Sequence, residues 1–501
     1  MDFSACLRKL DAEAVALNAL SDGIWEKAEI SYTEKESSRL LAEYLRGQGF
    51  ELVPGAYGIP TAFTAQFGSG SPRIGLLGEY DALSGLSQKA EVFEKCLPGG
   101  TGANGGAGVN GGAGVNGKAV ENGHGCGHNL LGAAAAGAAV AVKEFLAREG
   151  APGTVIFYGC PAEENGSGKA FMARAGAFRD LDCALTWHPG FLNRVFSESS
   201  LANILVKFYF HGRSAHAGGA PELGRSALDA VELMSVGANY LREHMIDNAR
   251  IHYAVTNTGG TSPNVVQATA DVVYMIRSPE SAQVQELFGR VLKIAEGAAL
   301  MTETSVEHRV IKSCANFISN RVLEGVLYDS FREVPLPEYS REDREYLEKF
   351  SATCPRSPEE TLKAAAAQEA SREGRAFLKQ RLKEKFWNFI VPWNKDRDDT
   401  LIRGSTDVGD VSWMCPTAQF YAAAWAPGTP GHSWQVTAQG KGKVAGDAML
   451  WSARVLALSA CGLFTRPELL RAVREEFEQT LAGRTYLPVP PEALPVALAE
   501  L

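Results

Sequence analysis

The 501-residue chain has no surplus of basic residues: 49 Lys and Arg face 58 Asp and Glu, for a formal net charge of −9. A nucleic-acid partner requires a basic face, so that class of function is set aside. There is no run of about 18 uninterrupted apolar residues, which argues against a membrane span. The opening "MDFSACLRKLDAEAVALNAL" lacks a basic segment followed by an apolar core. No signal peptide is therefore expected, and the protein is placed in the cytoplasm. There its nine cysteines are expected to be reduced thiols. Cys6, Cys183 and Cys461 lie in apolar runs and read as small core residues. Histidine is also scarce, at nine residues.

What remains is an ordinary globular composition, 45% hydrophobic and 21% charged. The length is too great for one small core and implies two domains with an insertion. Residues 5–50 read as two helices, the second from the 3.6-residue apolar spacing and glycine stop of "EKESSRLLAEYLRGQGF". "RIGLLGEYDAL" (73–83) reads as a short strand ending in acids, and "TGANGGAGVNGGAGVNGKAVENG" (101–123) as a flexible loop with an internal duplication. "LLGAAAAGAAVAVKEFLARE" reads as a buried helix. "GTVIFYGCPAEENGSGK" reads as strand, acidic turn and helix start, and "LDCALTWHPG" as a strand ending at His188.

Over about 201–312 the pattern becomes β-α-β-β-α-β, the order of a ferredoxin-like domain. The expected division is a first domain over 1–200 and 313–501, interrupted by a second over 201–312. The charged stretch 335–400 is expected to form helices with solvated faces. "AQFYAAAWAPGTPGHSWQ" repeats the strand-then-histidine theme, and "GKVAGDAMLWSARVLALSACGLF" reads as a core helix.

Five segments carry candidate ligands: Asp81, Cys126 with His128, Glu163 with Glu164, His188, and His432. Each is expected just beyond a strand or at a helix start. In an open parallel sheet, loops at the carboxyl ends of strands converge on one crevice. Thiolate, imidazole and carboxylate there suit zinc, manganese or cobalt. Taken singly, each has a plainer reading: a surface histidine, a packing cysteine, a solvated acidic corner, turn chemistry. Their conjunction favours a metal. Of the nine histidines, His124, His128, His188 and His432 all sit in glycine- or proline-bounded turns. In the acid pair, one carboxylate can then hold a cation while the other takes a proton from water.

The segments "GEYDALSGLSQ", "GHGCGHNLLGAA", "PAEENGSGK", "TWHPG", "GRSAHAGGAPELGRSALDA", "GGTSPNVVQATADVVYMIRS", "STDVGDVSW" and "PGHSWQ" occur in that order. Together they resemble the aminoacylase and carboxypeptidase-type family of metal-dependent amidohydrolases and peptidases. The resemblance runs over nearly the whole chain, except 101–120 and part of 335–400. It implies an α/β catalytic domain, with a mixed, mostly parallel sheet and flanking helices, interrupted by a ferredoxin-like α+β lid and dimerisation domain. It implies two divalent metal ions per subunit, manganese or zinc, held by Cys126 as a bridging thiolate with His128, Glu164, His188 and His432. Glu163 is then the general base, and Asp81 orients a ligand histidine. His216 reaches a partner subunit's site to stabilise an oxyanion, and Asn264 contacts substrate. Arg277 is offered for a substrate carboxylate, with a solvated strand-end charge as the alternative.

The implied reaction is hydrolysis of an amide between an acyl or aroyl group and an amino acid. p-Aminobenzoyl-glutamate leads as substrate. Other N-acyl amino acids of the indole-acetyl-aspartate type, or dipeptides with a basic residue, are the alternatives. A catalytically silent metal-binding subunit and a Cys126 nucleophile are the competing readings from other classes. A homodimer through the lid is implied, with a hetero-subunit left open. Two departures stand out. Asn129 replaces the aspartate that many relatives place after the ligand histidine. His124 has no family role and is expected to make a local structural contact.

Overall fold

The computed structural model describes residues 4–96 and 122–497. The glycine-rich segment 101–120 therefore lies outside the described residues. Contacts divide the chain into two units. The first falls within Met1–Glu198, Ile318–Thr400 and Met414–Gly483, and the second within Ser199–Phe317, Leu401–Trp413 and Arg484–Leu501.

The first unit is built on a seven-stranded sheet: β1 (Glu51–Pro54), β2 (Phe63–Ser69), β3 (Arg73–Glu79), β4 (Gly153–Cys160), β5 (Cys183–Gly190), β6 (Arg194–Phe196) and β11 (Thr417–Ala423). β7 to β10 belong to the second unit. The order across the sheet is β1-β2-β4-β3-β5-β11-β6. The central β4, β3, β5 and β11 run parallel, while β2 and β6 join antiparallel at the flanks. β3 and β4 are buried almost throughout, as parallel strands covered on both faces must be.

The helix His128–Glu149 packs against this sheet. Its alanines have no side-chain entropy to lose and keep it slim. At Gly132 a Cβ would come within 2.6 Å of the Glu79 carbonyl, so only glycine permits that approach. This helix and Lys443–Thr465 are long and apolar enough to cross a membrane by length and composition. However, 83% and 89% of their apolar windows are buried inside the protein. All nine cysteines are free thiols.

The second unit has the four-stranded order β10-β7-β9-β8, all antiparallel, from β7 (Ala202–His211), β8 (Arg250–Asn257), β9 (Thr269–Ser278) and β10 (Ser305–Cys314). Helices Ala227–Leu241 and Ser281–Thr302 share its core. This is the ferredoxin-like arrangement that the element order implied.

Three sequence expectations change. The sequence division places Leu401–Trp413 and the chain from Arg484 in the first domain, but both group with the second unit, through Leu201 N–H to Gly404 O, Ile402 N–H to Ser199 O, Ala315 N–H to Asp410 Oδ2 and Tyr486 OH to Asp410 Oδ1. His188 lies inside β5, not beyond it, because parallel pairing with β11 continues to Gly190. Finally, 335–400 is more than a solvated surface. Its helices Arg341–Ala352, Pro358–Gln368 and Arg372–Gln380 bury Leu347, Phe350, Leu362 and Leu378 in small cores. The last helix stops at Gln380, short of the span its charge pattern suggested.

Candidate metal centre and active site

The loop before His128 depends on Gly127. Its φ of +85° is a left-handed conformation, and a Cβ would meet Trp425 at 2.6 Å and Pro189 at 2.8 Å. That turn sets Cys126 beside β5 and makes His128 the first residue of the helix. Cys126 Sγ lies 3.3 Å from His188 Nε2. On the far side, His432 Nε2 lies 3.3 Å from Glu164 Oε2. The His432 backbone N–H donates to Gly125 O at 3.0 Å, tying the two loops together.

The donor atoms fall into groups whose members lie within 4.8 Å of one another. Cys126, His128 and His188 form one group, and Cys126, Glu164 and His432 a second. The two share only the Cys126 sulfur. Glu79, His128 and Glu163 form a third.

The buried His128 and the half-buried His188 each have Nδ1 engaged by a neighbour. His128 Nδ1 donates to Asp81 Oδ1 at 2.9 Å, and His188 Nδ1 donates to the Pro189 carbonyl at 2.8 Å. His188 therefore presents a lone pair at Nε2 toward Cys126. Burial opposes a charge on His128, but Cys126, Asp81 and Glu79 push its imidazole well above the usual range, so a cation at Nε2 would displace a proton there. His128 Nε2 is buried and makes no hydrogen bond, although Glu79 Oε2 approaches to 3.2 Å out of alignment. Two ligand atoms of one tetrahedral zinc stand about 3.4–3.6 Å apart, as its bond lengths require. The 3.3 Å pairs and the orphaned His128 nitrogen therefore fit a bound divalent cation.

The electrostatics point the same way. Burial pushes the Cys126 thiol well above its usual range, and the Glu164 carboxylate adds to the shift. Burial lifts Glu164 to about 8, partly opposed by His128. Glu163 is raised by burial and then by Glu79. His188 falls to about 3, through burial and then His128. This cluster disfavours its own anions, and a divalent cation among them would reverse that.

Asp81 accepts from His128 through Oδ1, and from Glu164 N–H and Ser31 Oγ through Oδ2 at 3.0 and 3.1 Å. Among the described residues no hydrogen bond engages the half-buried Glu163 carboxylate. His124 is buried and bonded to the Ile24 carbonyl at 3.1 Å, and it belongs to none of these donor groups. Asn129 Nδ2 donates to Ser21 Oγ at 2.9 Å and Gly440 O at 3.1 Å. A carboxylate accepts only and could make neither bond as a donor.

His216, Asn264 and Arg277 belong to the second unit. His216 Nδ1 accepts from the backbone N–H of Gly218 and Gly219 at 3.2 and 3.0 Å, so its proton sits on Nε2. The His216 and Asn264 segments are joined by Ala217 N–H to Asn264 O at 3.0 Å. Arg277, on β9, donates to Ser405 Oγ at 2.9 Å.

Sequence reasoning missed Glu79, which holds the fully buried Lys169 at 2.6 Å and reaches His128. Both residues lie within quoted motifs, "GEYDAL" and "PAEENGSGK", and a charge inside an apolar strand was the available signal. It also missed Ser31, Tyr32 and Glu34, for which the local pattern offered none.

Residues 112–380 match the family described as peptidase family M20/M25/M40. One of the subunits of the p-aminobenzoyl-glutamate hydrolase of Escherichia coli (strain K12) is 43% identical over 492 residues, covering 98% of each chain. The Xaa-Arg dipeptidase of Homo sapiens is 27% identical, covering 95% of this chain and 92% of that one. Among solved structures, a dinuclear metal-binding peptidase of the M20 family from Bacillus subtilis superposes with a TM-score of 0.52 at 15% identity. That match covers 91% of this chain and 99% of the other.

Proposed function

The chain belongs to peptidase family M20/M25/M40 and is a metal-dependent amidohydrolase, and from that premise we propose that it cleaves p-aminobenzoyl-glutamate to p-aminobenzoate and glutamate. One observation carries the hydrolytic reading: two three-donor groups share the Cys126 sulfur, with the unengaged Glu163 carboxylate alongside. The choice of substrate rests on the 43% identity to the Escherichia coli hydrolase, against 27% to the human Xaa-Arg dipeptidase.

Cys126, His128 and His188 would hold one divalent ion and Cys126, Glu164 and His432 a second, manganese or zinc. When bound, such ions acidify water and polarise an amide carbonyl. The chain's own residues do the rest. Asp81 keeps His128 in the tautomer that offers Nε2. Glu163 takes the proton of the attacking water and returns it to the departing amine nitrogen. General acid–base transfer of this kind is worth about 10²–10⁴-fold. His216, with its proton fixed on Nε2, is assigned to reach a partner subunit's site and donate to the developing oxyanion there. Asn264 and Arg277 contact substrate, Arg277 through a carboxylate. With Glu163 to activate water, no covalent step through Cys126 is needed, and its sulfur would serve as a thiolate ligand.

Pairing of two copies through the second unit is supported by an unpartnered face. Leu233, Val236 and Tyr240 are exposed at helical spacing, Tyr240 by 73%, and edge strand β8 exposes Tyr253 and Val255. The Escherichia coli relative is one member of a hydrolase with more than one kind of subunit, which supports a hetero-oligomer as the alternative. The free thiols suit a reducing compartment such as the cytoplasm.

The test is direct. Purified protein reconstituted with manganese or zinc should release glutamate from p-aminobenzoyl-glutamate faster than from other N-acyl amino acids or Xaa-Arg dipeptides. Chelation should stop it. Turnover unchanged in Glu163→Ala would remove the assigned base. Activity that resists chelator but not thiol alkylation would favour Cys126 as nucleophile.

A further inference from the structure

The turn that carries the acid pair is conformationally unusual. The short helix Glu163–Gly166 is flanked by Ala162 at φ +62° and Ser167 at φ +53°, both left-handed and neither a glycine. Side chains seldom adopt that region, and they persist there only where their surroundings over-determine them. Beside the Asp81 carboxylate, which accepts from Glu164 N–H, much of the surroundings comes from one distant segment, residues 31–34, between the first two helices.

Four hydrogen bonds join this segment to the site. Glu34 Oε1 accepts from Ala162 N–H at 2.8 Å, one residue before Glu163. Ser31 Oγ accepts from Asn165 N–H at 3.2 Å and donates to Asp81 Oδ2 at 3.1 Å. Tyr32 OH donates to the Gly166 carbonyl at 2.9 Å. The turn is thus held at its start, middle and end. Gly166 leaves room for this grip, because a Cβ there would meet the Tyr32 ring at 2.5 Å. The segment is anchored in turn. Ala82 N–H donates to Glu29 O at 2.8 Å, and the Glu29 carboxylate accepts from the N–H groups of Glu36 and Ser37 at the start of the next helix. Glu34 is fully buried, and its other oxygen, Oε2, makes no well-aligned hydrogen bond among the described residues, although the Thr61 hydroxyl lies close enough to favour its charge. A fully buried carboxyl retained with one oxygen poorly satisfied calls for an explanation beyond stability.

We propose that Ser31, Tyr32 and Glu34 form a positioning clamp that fixes Glu163 and Glu164 relative to Asp81 and the ligands it orients. Glu34 acts through the Ala162 N–H, and Ser31 couples Asp81 to the same turn. None of the three touches substrate. The inference deepens the hydrolase reading and rests on it for the identity of the reaction, but not for the geometry.

The experiment compares Glu34→Ala, Glu34→Gln and Ser31→Ala in the full chain. Glutamine keeps an oxygen acceptor for Ala162 N–H, so it separates the bond from the charge. The readouts are kcat and KM on p-aminobenzoyl-glutamate, the ligand-field spectrum and affinity of added cobalt(II), and the melting temperature. Glu34→Ala and Ser31→Ala should lower kcat by about 10–100-fold, the range for residues that orient ligands, with KM within about twofold. They should also perturb the cobalt spectrum. Glu34→Gln should restore both kcat and spectrum to near wild type. If Glu34→Gln is as impaired as Glu34→Ala in a folded protein, or if kcat and spectrum in both alanine variants match wild type, the clamp is overturned. If wild type binds cobalt but hydrolyses none of the panel, the assigned reaction fails. The cobalt spectra of the variants would still decide the clamp.

Discussion

Cys126 and His216 are both assigned to one reaction, yet their surroundings differ in kind. Cys126 sits in a half-buried loop whose neighbours are fixed from β5, the acid turn and the His432 loop. His216 is exposed, and its ring is held by two N–H groups of its own loop. The first environment spends many long-range contacts on holding donors that repel one another. The second spends little, and leaves one imidazole N–H outward. A group that must bind a cation needs pre-organisation, because its donors are costly to gather. A group that must meet a substrate or a neighbouring copy needs reach.

The contrast can be broken by mutation. The largest effect is expected from Glu163→Ala: kcat down about 10³-fold, with metal content by elemental analysis unchanged, since Glu163 is not an assigned ligand. Loss of metal in that variant would move Glu163 into the ligand set. His216→Ala should come next, lowering kcat about 10²–10³-fold as loss of an oxyanion donor does. Its melting temperature should hardly move, because an exposed side chain away from the core contributes within about 0.5 kcal/mol. A large drop in stability would mean that the exposed loop is structural after all.

Asn129→Asp sharpens the comparison from the buried side. It removes the donor to the Gly440 carbonyl and buries a carboxylate against that oxygen, while the Ser21 hydroxyl can turn to donate, so about 1–3 kcal/mol of stability should be lost in a denaturant melt. Unchanged stability would mean that the site tolerates a buried carboxylate.

A more gradual effect is expected from pH, spread over several units. Burial holds Glu34 and Glu164 up to about 8 in the folded chain, whereas unfolded glutamates titrate near 4.3. Folding therefore favours their protonated forms. That contribution is complete below about pH 4.3 and is lost as pH rises through about 8. Calorimetry of the metal-free protein should show the melting temperature falling between about pH 6 and about pH 8.5. Adding manganese or zinc should flatten the slope. A melting temperature that rises over this window without metal would contradict the assigned burial.

Much of the architecture was legible in the chain. Period-2 and period-3.6 patterns placed the ferredoxin-like elements, because each strand and helix must bury one face. The turn residues around Cys126, His188 and His432 marked candidate ligands for a local reason, since glycine and proline shape the backbone next to them. Other features were illegible. The charged run 335–400 hid buried Leu347 and Phe350 behind a polar majority. Leu401–Trp413 joins the second unit through hydrogen bonds to partners about 90–200 residues away. Nothing in "ISYTEK" announces that Ser31 and Glu34 will meet a turn some 130 residues later.

By itself, then, the sequence determined which electron-pair donors exist and which short turns present them, because both are properties of a few adjacent residues. Only the tertiary structure decided that Cys126 stands between two sets of partners, that Lys169 neutralises Glu79 behind His128, and that residues 31–34 grip the acid turn. Those contacts follow from the strand order β4-β3-β5-β11 and the close packing of one alanine-rich helix. They bring together residues that share no local pattern.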